Sequence, residues 1–281
     1  MVDTADLGSA AKAWRFESSL GHGFIKMKKF CVVTYVHNEN FFLPIWLNYY
    51  SKIFSPNDIY VIDNNTSDNS IISAKQNFDF NLIDFPTEHN QSLLKLFDFV
   101  HSFVFDLLNQ YDGIYVAEVD EIIYHPSGLI NIANYYSDRN FEAVRCYAYE
   151  PIHNYFQDEP EIKFDINFLQ QRKFWRHAFS HHKIVFITDK INFLHEMHIF
   201  STATHSIADY KLSMIHLKFI DYKMLYKRNF NTLLIGNIDP ITEKLNYGWQ
   251  NRINKLSEFD DLFKFALHMS YEIPESFKNI I

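Results

Sequence analysis

The sequence has few cysteines, no long apolar run and no excess of basic residues, and each absence excludes a class of protein. Its 281 residues include 2 cysteines, Cys31 and Cys146, which we interpret as buried, reduced thiols, with a single disulfide as the alternative. No stretch is long and apolar enough for a transmembrane helix. The net charge of −8 argues against a nucleic-acid partner, because such partners require basic patches.

Composition predicts one folded domain behind an N-terminal segment of different character. Hydrophobic residues make up 47% of the chain, which is enough for one sizeable core. Residues 1–26 have no clear hydrophobic period and no signal-peptide pattern, so we interpret them as an extension or a cloning remnant. We expect residues 27–281 to form a single domain, divided into a first half (27–125), a second half (126–230) and a helical segment (231–281).

Hydrophobic periodicity predicts strands and helices in alternation. The predicted strands cover 30–35, 58–62, 80–85 and 113–119, and the predicted helices cover 41–54, 70–76 and 92–110. This rhythm indicates βαβ units and an α/β fold with a mostly parallel central sheet and flanking helices. Beyond Pro126 the pattern is less regular; strands are expected at 141–149, 183–187 and 213–217, and 221–281 is expected to be mostly helical.

Polar clusters follow three of the predicted strands. They are His37-Asn38-Glu39, the turn from Asp63 to Asp68, and Glu118-Val119-Asp120-Glu121. Ligands bind outside the carboxyl ends of the strands in parallel sheets, so we expect the three clusters to converge on one site.

The acidic cluster is the candidate metal site. Mg²⁺ and Mn²⁺ prefer carboxylate oxygens, and Glu118 and Asp120, with Glu121 in reserve, supply them at a strand end. A solvated acidic turn is the alternative. The apolar strand directly before the cluster favours metal binding, as does Asp63 at the end of an earlier strand.

The first half resembles a known family. Val32-Val33-Thr34-Tyr35-Val36-His37-Asn38-Glu39, Leu43-Pro44-Ile45-Trp46-Leu47 and the strand and turn from Ile59 to Asp68 resemble the opening of family-2-like glycosyltransferases. The resemblance is closest to the branch that looks like the family-92 enzymes. Val116-Ala117-Glu118-Val119-Asp120-Glu121-Ile122 resembles the Asp-x-Asp-Glu-Phe metal motif of that group, and the similarity covers residues 30–125.

This resemblance implies a GT-A (Rossmann-like) fold, a nucleoside-diphosphate-sugar donor bound by residues 27–125, and Mn²⁺ or Mg²⁺ as cofactor. Carried over by position, Asp63 contacts the base or ribose, Asp120 is the principal metal ligand, and Glu118 faces the ribose or the metal. The other residues expected to bind the donor in this half are Asn38, Glu39, Asn65 and Asp68. The sequence departs from the pattern at Glu118, where Asp is usual, and this puts metal geometry or donor choice in doubt.

A later motif of the same group is matched more loosely by Ile215-His216-Leu217 and the basic residues that follow. The resemblance implies that His216 completes the metal shell and that Lys227 or Arg228 holds the departing diphosphate. A core histidine and a solvated basic helix face are the alternative.

The catalytic base is chosen from the second half, which we expect to face the acceptor. An inverting transferase needs a carboxylate near the acceptor hydroxyl, and Glu196, Asp189 and Glu150 are the candidates. We favour Glu196 because it lies in a histidine-rich stretch after a predicted strand. With Asp120 it forms the predicted catalytic pair.

Two other functions compete with this one. The histidines at 181, 182, 195, 198 and 205 suggest a metallohydrolase, although His195-Glu196-Met197-His198 lacks the spacing of the zinc motif His-Glu-x-x-His. The chain is alternatively a nucleotide-sugar-binding protein without activity, against which the intact acids argue.

The sequence therefore predicts a metal-dependent transfer of a sugar to a hydroxyl of a glycan or glycolipid. That the transfer is inverting is implied by the family resemblance alone. Cell-surface polysaccharide or lipopolysaccharide synthesis is the expected setting. We expect a cytoplasmic protein with peripheral contact at the inner face of the cell membrane, and the aromatic and Lys-bearing segment 217–230 is the candidate contact surface.

Overall fold

The computed structural model describes residues 27–85, 93–163, 168–178, 182–193, 200–202, 205–234 and 256–272. Residues 1–26 and most of 231–281 lie outside this set, so their predicted roles stay predictions. Within it, no helix is long and apolar enough to cross a membrane.

Strands and helices alternate through the first half, as the periodicity predicts. The strands are β1 Phe30–Val36, β2 Ile59–Asp63, β3 Asn81–Asp84, β4 Gly113–Val116, β5 Glu121–Tyr124, β6 Ala143–Ile152, β7 Phe174–His177, β8 Ile184–Ile187, β9 Asn192–Phe193, β10 Phe200–Thr202, β11 Ser206–His216 and β12 Tyr271–Glu272. The helices are α1 Phe42–Tyr50, α2 Ser70–Asn77, α3 Leu93–Leu107, α4 Leu129–Asp138, α5 Tyr222–Leu234 and α6 Leu256–His268.

The main sheet has the strand order β12-β7-β6-β8-β4-β1-β2-β3. The strands β4, β1, β2 and β3 are parallel to one another, and β8, β7 and β12 add antiparallel pairs at the other side. β11 runs parallel to β6 and antiparallel to β5. The predicted α/β class, with a mostly parallel central sheet and flanking helices, is confirmed.

Helices pack on both faces of the sheet. Successive side chains of β1 point to opposite faces, so the strand contributes to the core on each side. Val32 and Val36 pack into a core with Trp46 of α1, whereas Cys31 and Val33 pack into a second core with the helix α3. Cys31 and Cys146 are free, buried thiols, as predicted.

The aromatic face of α1 is joined to β5 by buried hydrogen bonds, which include a bond from the Tyr50 hydroxyl to the Glu121 carbonyl at 3.4 Å. The Tyr49 hydroxyl donates to the Ile123 carbonyl at 2.7 Å, and the Ile123 amide donates to the Tyr50 hydroxyl at 2.9 Å. These bonds fix the strand that follows the acidic cluster.

Several elements differ from the prediction. β5 in the first half and β7 and α4 in the second are not predicted by the periodicity, and β11 begins at Ser206 rather than at residue 213. The first part of β11 is mostly exposed, so it carries little apolar signal. The short strand β12 interrupts the segment that was predicted to be mostly helical.

Gly113 is required at the start of β4 by a close approach of Phe186. A β-carbon at this position would lie 2.4 Å from Cζ of that ring, which is fully buried. We expect Gly113→Ala to lower the free energy of unfolding by about 1–3 kcal/mol through overpacking. Denaturant unfolding measures the effect, and Phe186→Leu in the same chain should recover part of it. Full stability of the single variant would contradict this packing.

Candidate active site

The acidic cluster forms the turn between β4 and β5, at the carboxyl edge of the parallel strands. The Glu121 amide donates to the Glu118 carbonyl at 2.9 Å and closes the turn. His216, the last residue of β11, is paired with Glu121 across the two strands. The next amide, that of Leu217, donates to the Asp120 carbonyl at 2.7 Å. Backbone pairing therefore brings His216 to the acidic turn.

Asp120 is buried and forms an ion pair with the guanidinium of Arg228 on α5. Arg228 Nη1 lies 2.6 Å from Asp120 Oδ2, and the same guanidinium contacts Glu39 Oε1 through Nε at 2.8 Å and Nη2 at 2.6 Å. Burial alone would raise the pKa of Asp120, but Arg228 and His216 hold it well below its usual range. Burial dominates for Glu39 and raises its pKa to about 7, although Arg228 opposes the shift.

His216 is held between two carboxylates. Its Nδ1 lies 2.8 Å from Glu150 Oε1, and its Nε2 lies 3.6 Å from Asp120 Oδ2. Glu150 is fully buried in β6, and its Oε2 accepts hydrogen bonds from Nε and Nη2 of Arg176, both at 2.6 Å. Burial lowers the pKa of His216, but Asp120 and Glu150 outweigh it and raise the pKa to about 9.

Lys183 holds the remaining acids of the turn. Its Nζ lies 2.6 Å from Glu118 Oε1 and 2.7 Å from Glu121 Oε1, and its side chain is almost completely buried. Burial lowers the pKa of Lys183, but the two carboxylates more than offset this and raise it. Burial, and next the nearby charge of Glu118, raises the pKa of Tyr35 on β1.

Lys218 is a further cation beside the site, and it is only 8% exposed. Burial lowers its pKa to about 8, against the opposing influence of Glu150 and Asp120. The segment 217–221 is buried, so the part of the predicted membrane-contact segment that includes Lys218 is not at the surface. The cause is packing: Phe219 contributes to the core formed with Leu225 of α5, and Leu217 and Ile220 contribute to the main core.

The ends of β1 and β2 form one hydrogen-bonded loop pair beside the acidic turn. Asn38, with φ of 56°, accepts the amides of Ser67 and Asp68 at 2.8 and 3.1 Å on its side-chain oxygen. Asp63 accepts the Thr66 amide at 2.8 Å, and its second carboxylate oxygen is not used in that bond. Asn65 adopts φ of 54° in the same turn. The cavity next to this loop has a volume of about 480 Å³ and is lined by Asn40, Pro44, Ser67, Asp68, Asn69, Ser70 and Ser73.

Two of the predicted metal ligands fit a divalent cation. The 3.6 Å between Asp120 Oδ2 and His216 Nε2 suits two ligands that each lie about 2.1 Å from one ion. Such ions keep several waters and take substrate phosphates as further ligands, so two protein ligands suffice. Within the described ranges, no group of three or more His, Cys, Asp or Glu side chains is arranged to hold a metal. Glu118 has Lys183 as its partner, and its metal contact stays a prediction.

Some predicted residues meet and others do not. Glu39, Asp120, His216 and Arg228 are joined by side-chain contacts. Glu118 lies in the same turn, where Lys183 joins it to Glu121. Lys227 is exposed and instead borders a small cavity of about 70 Å³. Glu196 lies outside the described residues, so its role as base stays a prediction.

Lys183 and Arg176, which hold acids of the site, are not among the residues that the sequence predicts for it, and Lys218 is predicted only as one of the basic residues that follow His216. Glu150 is predicted as a candidate base, whereas the structure makes it the partner of His216. A charged residue inside an apolar run is the signal that would have found Glu150 and Lys183, since buried charges occur in pairs.

Only two of the five histidines of the predicted metallohydrolase site lie within the described residues. His182 packs against Tyr147, and the exposed His205 packs against Phe141 and contacts the Asn140 carbonyl. These two histidines do not form a metal cluster in the part of the chain that the structure describes. The other three, at 181, 195 and 198, lie outside it.

No protein-family model and no curated protein matches this chain. Among solved structures it is similar to a form of Staphylococcus aureus TarS, residues 1-349, with 12% identity and a TM-score of 0.42 over 85% of this chain and 81% of that one. It is also similar to the mannosyltransferase PcManGT from Pyrobaculum calidifontis, solved with GDP-Man and Mn²⁺, with 12% identity and a TM-score of 0.40 over 87% and 73%.

A longer TarS structure matches with 14% identity and a TM-score of 0.30, over 44% of this chain and 22% of that chain. This chain thus spans less than a quarter of that relative. These likenesses are remote, and the function of the chain rests on the residues of its own site.

Lys218 is charged at neutral pH although burial disfavours its charge. We expect Lys218→Met to raise the free energy of unfolding at pH 7 by about 1–3 kcal/mol, because methionine keeps the apolar stem and removes the buried charge. The folded-state pKa of about 8 lies below the ordinary 10.5, so the penalty is largest below pH 8 and disappears as the pH rises to 10.5. Denaturant unfolding at pH 7 and pH 10 tests both expectations.

The matched control is Lys227→Met, which removes an exposed lysine of α5 and should change the stability by less than about 0.5 kcal/mol. A Lys218→Met protein less stable than the wild type at pH 7 would show that the ion pairs of Lys218 outweigh its burial.

Proposed function

We propose that this chain is a glycosyltransferase that moves a sugar from a nucleoside-diphosphate-sugar to a hydroxyl of a glycan or glycolipid. The observation that carries the proposal is the meeting of Asp120, His216 and Arg228 at the carboxyl edge of the sheet. A carboxylate and an imidazole suit a divalent cation, and a guanidinium suits a phosphate. A metal-bound diphosphate presents both partners together.

Mn²⁺ or Mg²⁺ is the proposed cofactor, with Asp120 and His216 as its protein ligands. When bound, the cation would neutralise the negative charge that develops on the diphosphate leaving group. Glu118 forms an ion pair with Lys183. We assign Glu118 a contact with the donor ribose, because this role lets its carboxylate keep the ion pair.

Arg228 changes partner in this proposal. In the structure its guanidinium contacts Asp120 Oδ2, the same oxygen that faces His216. A diphosphate offers it bidentate oxygen acceptors of higher charge. Arg228 therefore releases Asp120 when the donor arrives and holds the departing phosphates. Lys218, buried behind the same acids, adds positive potential at that point.

The loop pair at the ends of β1 and β2 is the proposed nucleoside site. Asn38 ties the two loops together, and Asp63 keeps one carboxylate oxygen for the base or ribose. Glu39, Asn65 and Asp68 complete this side of the proposed donor site.

Glu196 remains the proposed base for an inverting reaction. Glu150 does not suit this task, because it is fully buried and both of its oxygens are bound by His216 and Arg176. Asp189 is exposed and accepts the amide of Lys190. The proposed setting is cell-surface polysaccharide or lipopolysaccharide synthesis at the cytoplasmic face of the membrane, with the exposed lysines of α5, Lys223 and Lys227, as the membrane contact.

The direct test is calorimetric titration with UDP-, GDP-, CMP- and dTDP-sugars, with and without Mn²⁺. We expect one nucleotide class to bind, and only with metal. Asp120→Asn removes a metal ligand itself, so it should weaken this binding by more than about 100-fold. Loss of a side chain that only hydrogen-bonds a metal ligand weakens metal binding by at most about that factor. Asp209→Asn is the control; this carboxylate also faces a histidine, His125, at 3.7 Å, but away from the acidic turn.

Equal binding by the wild type and Asp120→Asn would remove the metal-site assignment. Failure of every donor, together with zinc in the purified protein, would favour the histidine-rich hydrolase. Donor binding without sugar transfer to any glycan would favour the inactive binding protein.

Arg228 yields a prediction with opposite signs for metal and donor. We expect Arg228→Met to strengthen the binding of Mn²⁺ alone by about 10-fold, roughly 1.4 kcal/mol, because a cation no longer competes for Asp120. The same variant should bind the nucleotide-sugar more weakly, because the phosphates lose their guanidinium. Electron paramagnetic resonance of free Mn²⁺ measures the first effect and calorimetry the second. Weaker binding of both would show that Arg228 only supports the fold of the site.

A further inference from the structure

We infer that Glu150 is a positioning residue that sets the orientation and protonated nitrogen of His216 for metal binding. The inference rests on the proposed function, since it concerns the same cation. It assigns a task to a buried carboxylate that the transfer reaction does not otherwise use.

Glu150 is fully buried near the carboxyl end of β6, where an ionised carboxylate is strongly unfavourable without partners. Arg176 supplies a full countercharge through two bonds of 2.6 Å to one oxygen, Oε2. The second oxygen, Oε1, lies 2.8 Å from Nδ1 of His216.

The orientation of the His216 imidazole makes Nε2 its metal-binding nitrogen. A carboxylate that accepts from Nδ1 keeps a proton on that nitrogen, so Nε2 is the nitrogen that gives up its proton and acts as the ligand when a cation binds. Nε2 faces Asp120 Oδ2 across 3.6 Å, which is beyond hydrogen-bond range. The space between these two atoms is therefore suited to a cation that both contact.

The contact between Glu150 and His216 is rigid. Glu150 and His216 lie on the neighbouring parallel strands β6 and β11, where Tyr149 is paired with Ile215. The contact is thus fixed by sheet register rather than by a loop. His216 cannot rotate toward another partner without losing its bond inside the core, which holds Nε2 toward Asp120 before any metal arrives.

The experiment compares two variants that break the same ion pair. Glu150→Gln and Arg176→Gln both remove the Glu150–Arg176 pair, but only the first removes the carboxylate from His216. Free Mn²⁺ is measured by electron paramagnetic resonance for the wild type, both variants, Asp120→Asn and the distant control Asp209→Asn. We expect a 10- to 100-fold weaker Mn²⁺ affinity for Glu150→Gln, as is usual for such outer partners, a smaller loss for Arg176→Gln and no change for Asp209→Asn.

Equal losses in Glu150→Gln and Arg176→Gln, or wild-type affinity in Glu150→Gln, would overturn the inference while Asp120→Asn still reports the proposed metal site. Wild-type affinity in Asp120→Asn would overturn the inference and the metal site together.

A second measurement needs no variant at Glu150 and covers the case in which that variant does not fold. In ¹⁵N-histidine-labelled wild-type protein saturated with Mg²⁺, His216 should carry its proton on Nδ1 and none on Nε2. His216→Gln identifies its signals. A proton on Nε2, or His216 signals that do not respond to Mg²⁺, would overturn the inference.

Discussion

The hydrogen bond from the Leu217 amide to the Asp120 carbonyl joins the end of β11 to the acidic turn. It continues the antiparallel pairing of β11 with β5, so it is set by the backbone and not by the conformation of any side chain. Through it, a histidine from the second half of the chain arrives beside carboxylates from the first half. The register of two strands thus decides which side chains meet at the site.

Charge compensation is the second constraint on this site. Each buried acid of the cluster has a cation within contact distance, and two of these cations each contact two acids. Arg228 contacts Glu39 and Asp120, and Lys183 contacts Glu118 and Glu121. Burying ions in this way contributes little net stability, whereas removing one partner leaves a costly unpaired charge. The arrangement is therefore suited to binding a ligand that replaces a partner, and less to strengthening the fold.

The first half of the fold was readable from the sequence because its periods are strong and local. Val32 and Val36 alternate with Cys31 and Val33 in β1, and the apolar face of α1 follows at helical spacing. The placement of the acidic turn at a strand end follows from the same pattern. What local patterns do not contain is the choice of partner: Lys183 and Glu118 are 65 residues apart, and Arg228 and Glu39 are 189 apart. Those contacts are decided by strand register and by the docking of α5, which are properties of the whole fold.

The origin of the opposite charges along the chain has a consequence for synthesis. Glu39, Glu118, Asp120 and Glu121 all precede residue 126, whereas Lys183, His216 and Arg228 follow it. The N-terminal part of a chain leaves the ribosome first. The carboxylates of the acidic turn are therefore synthesised before Lys183, His216 and Arg228, and the charge-paired site is completed only after α5 has been made. A cut between the two halves would separate these acids from their counterions.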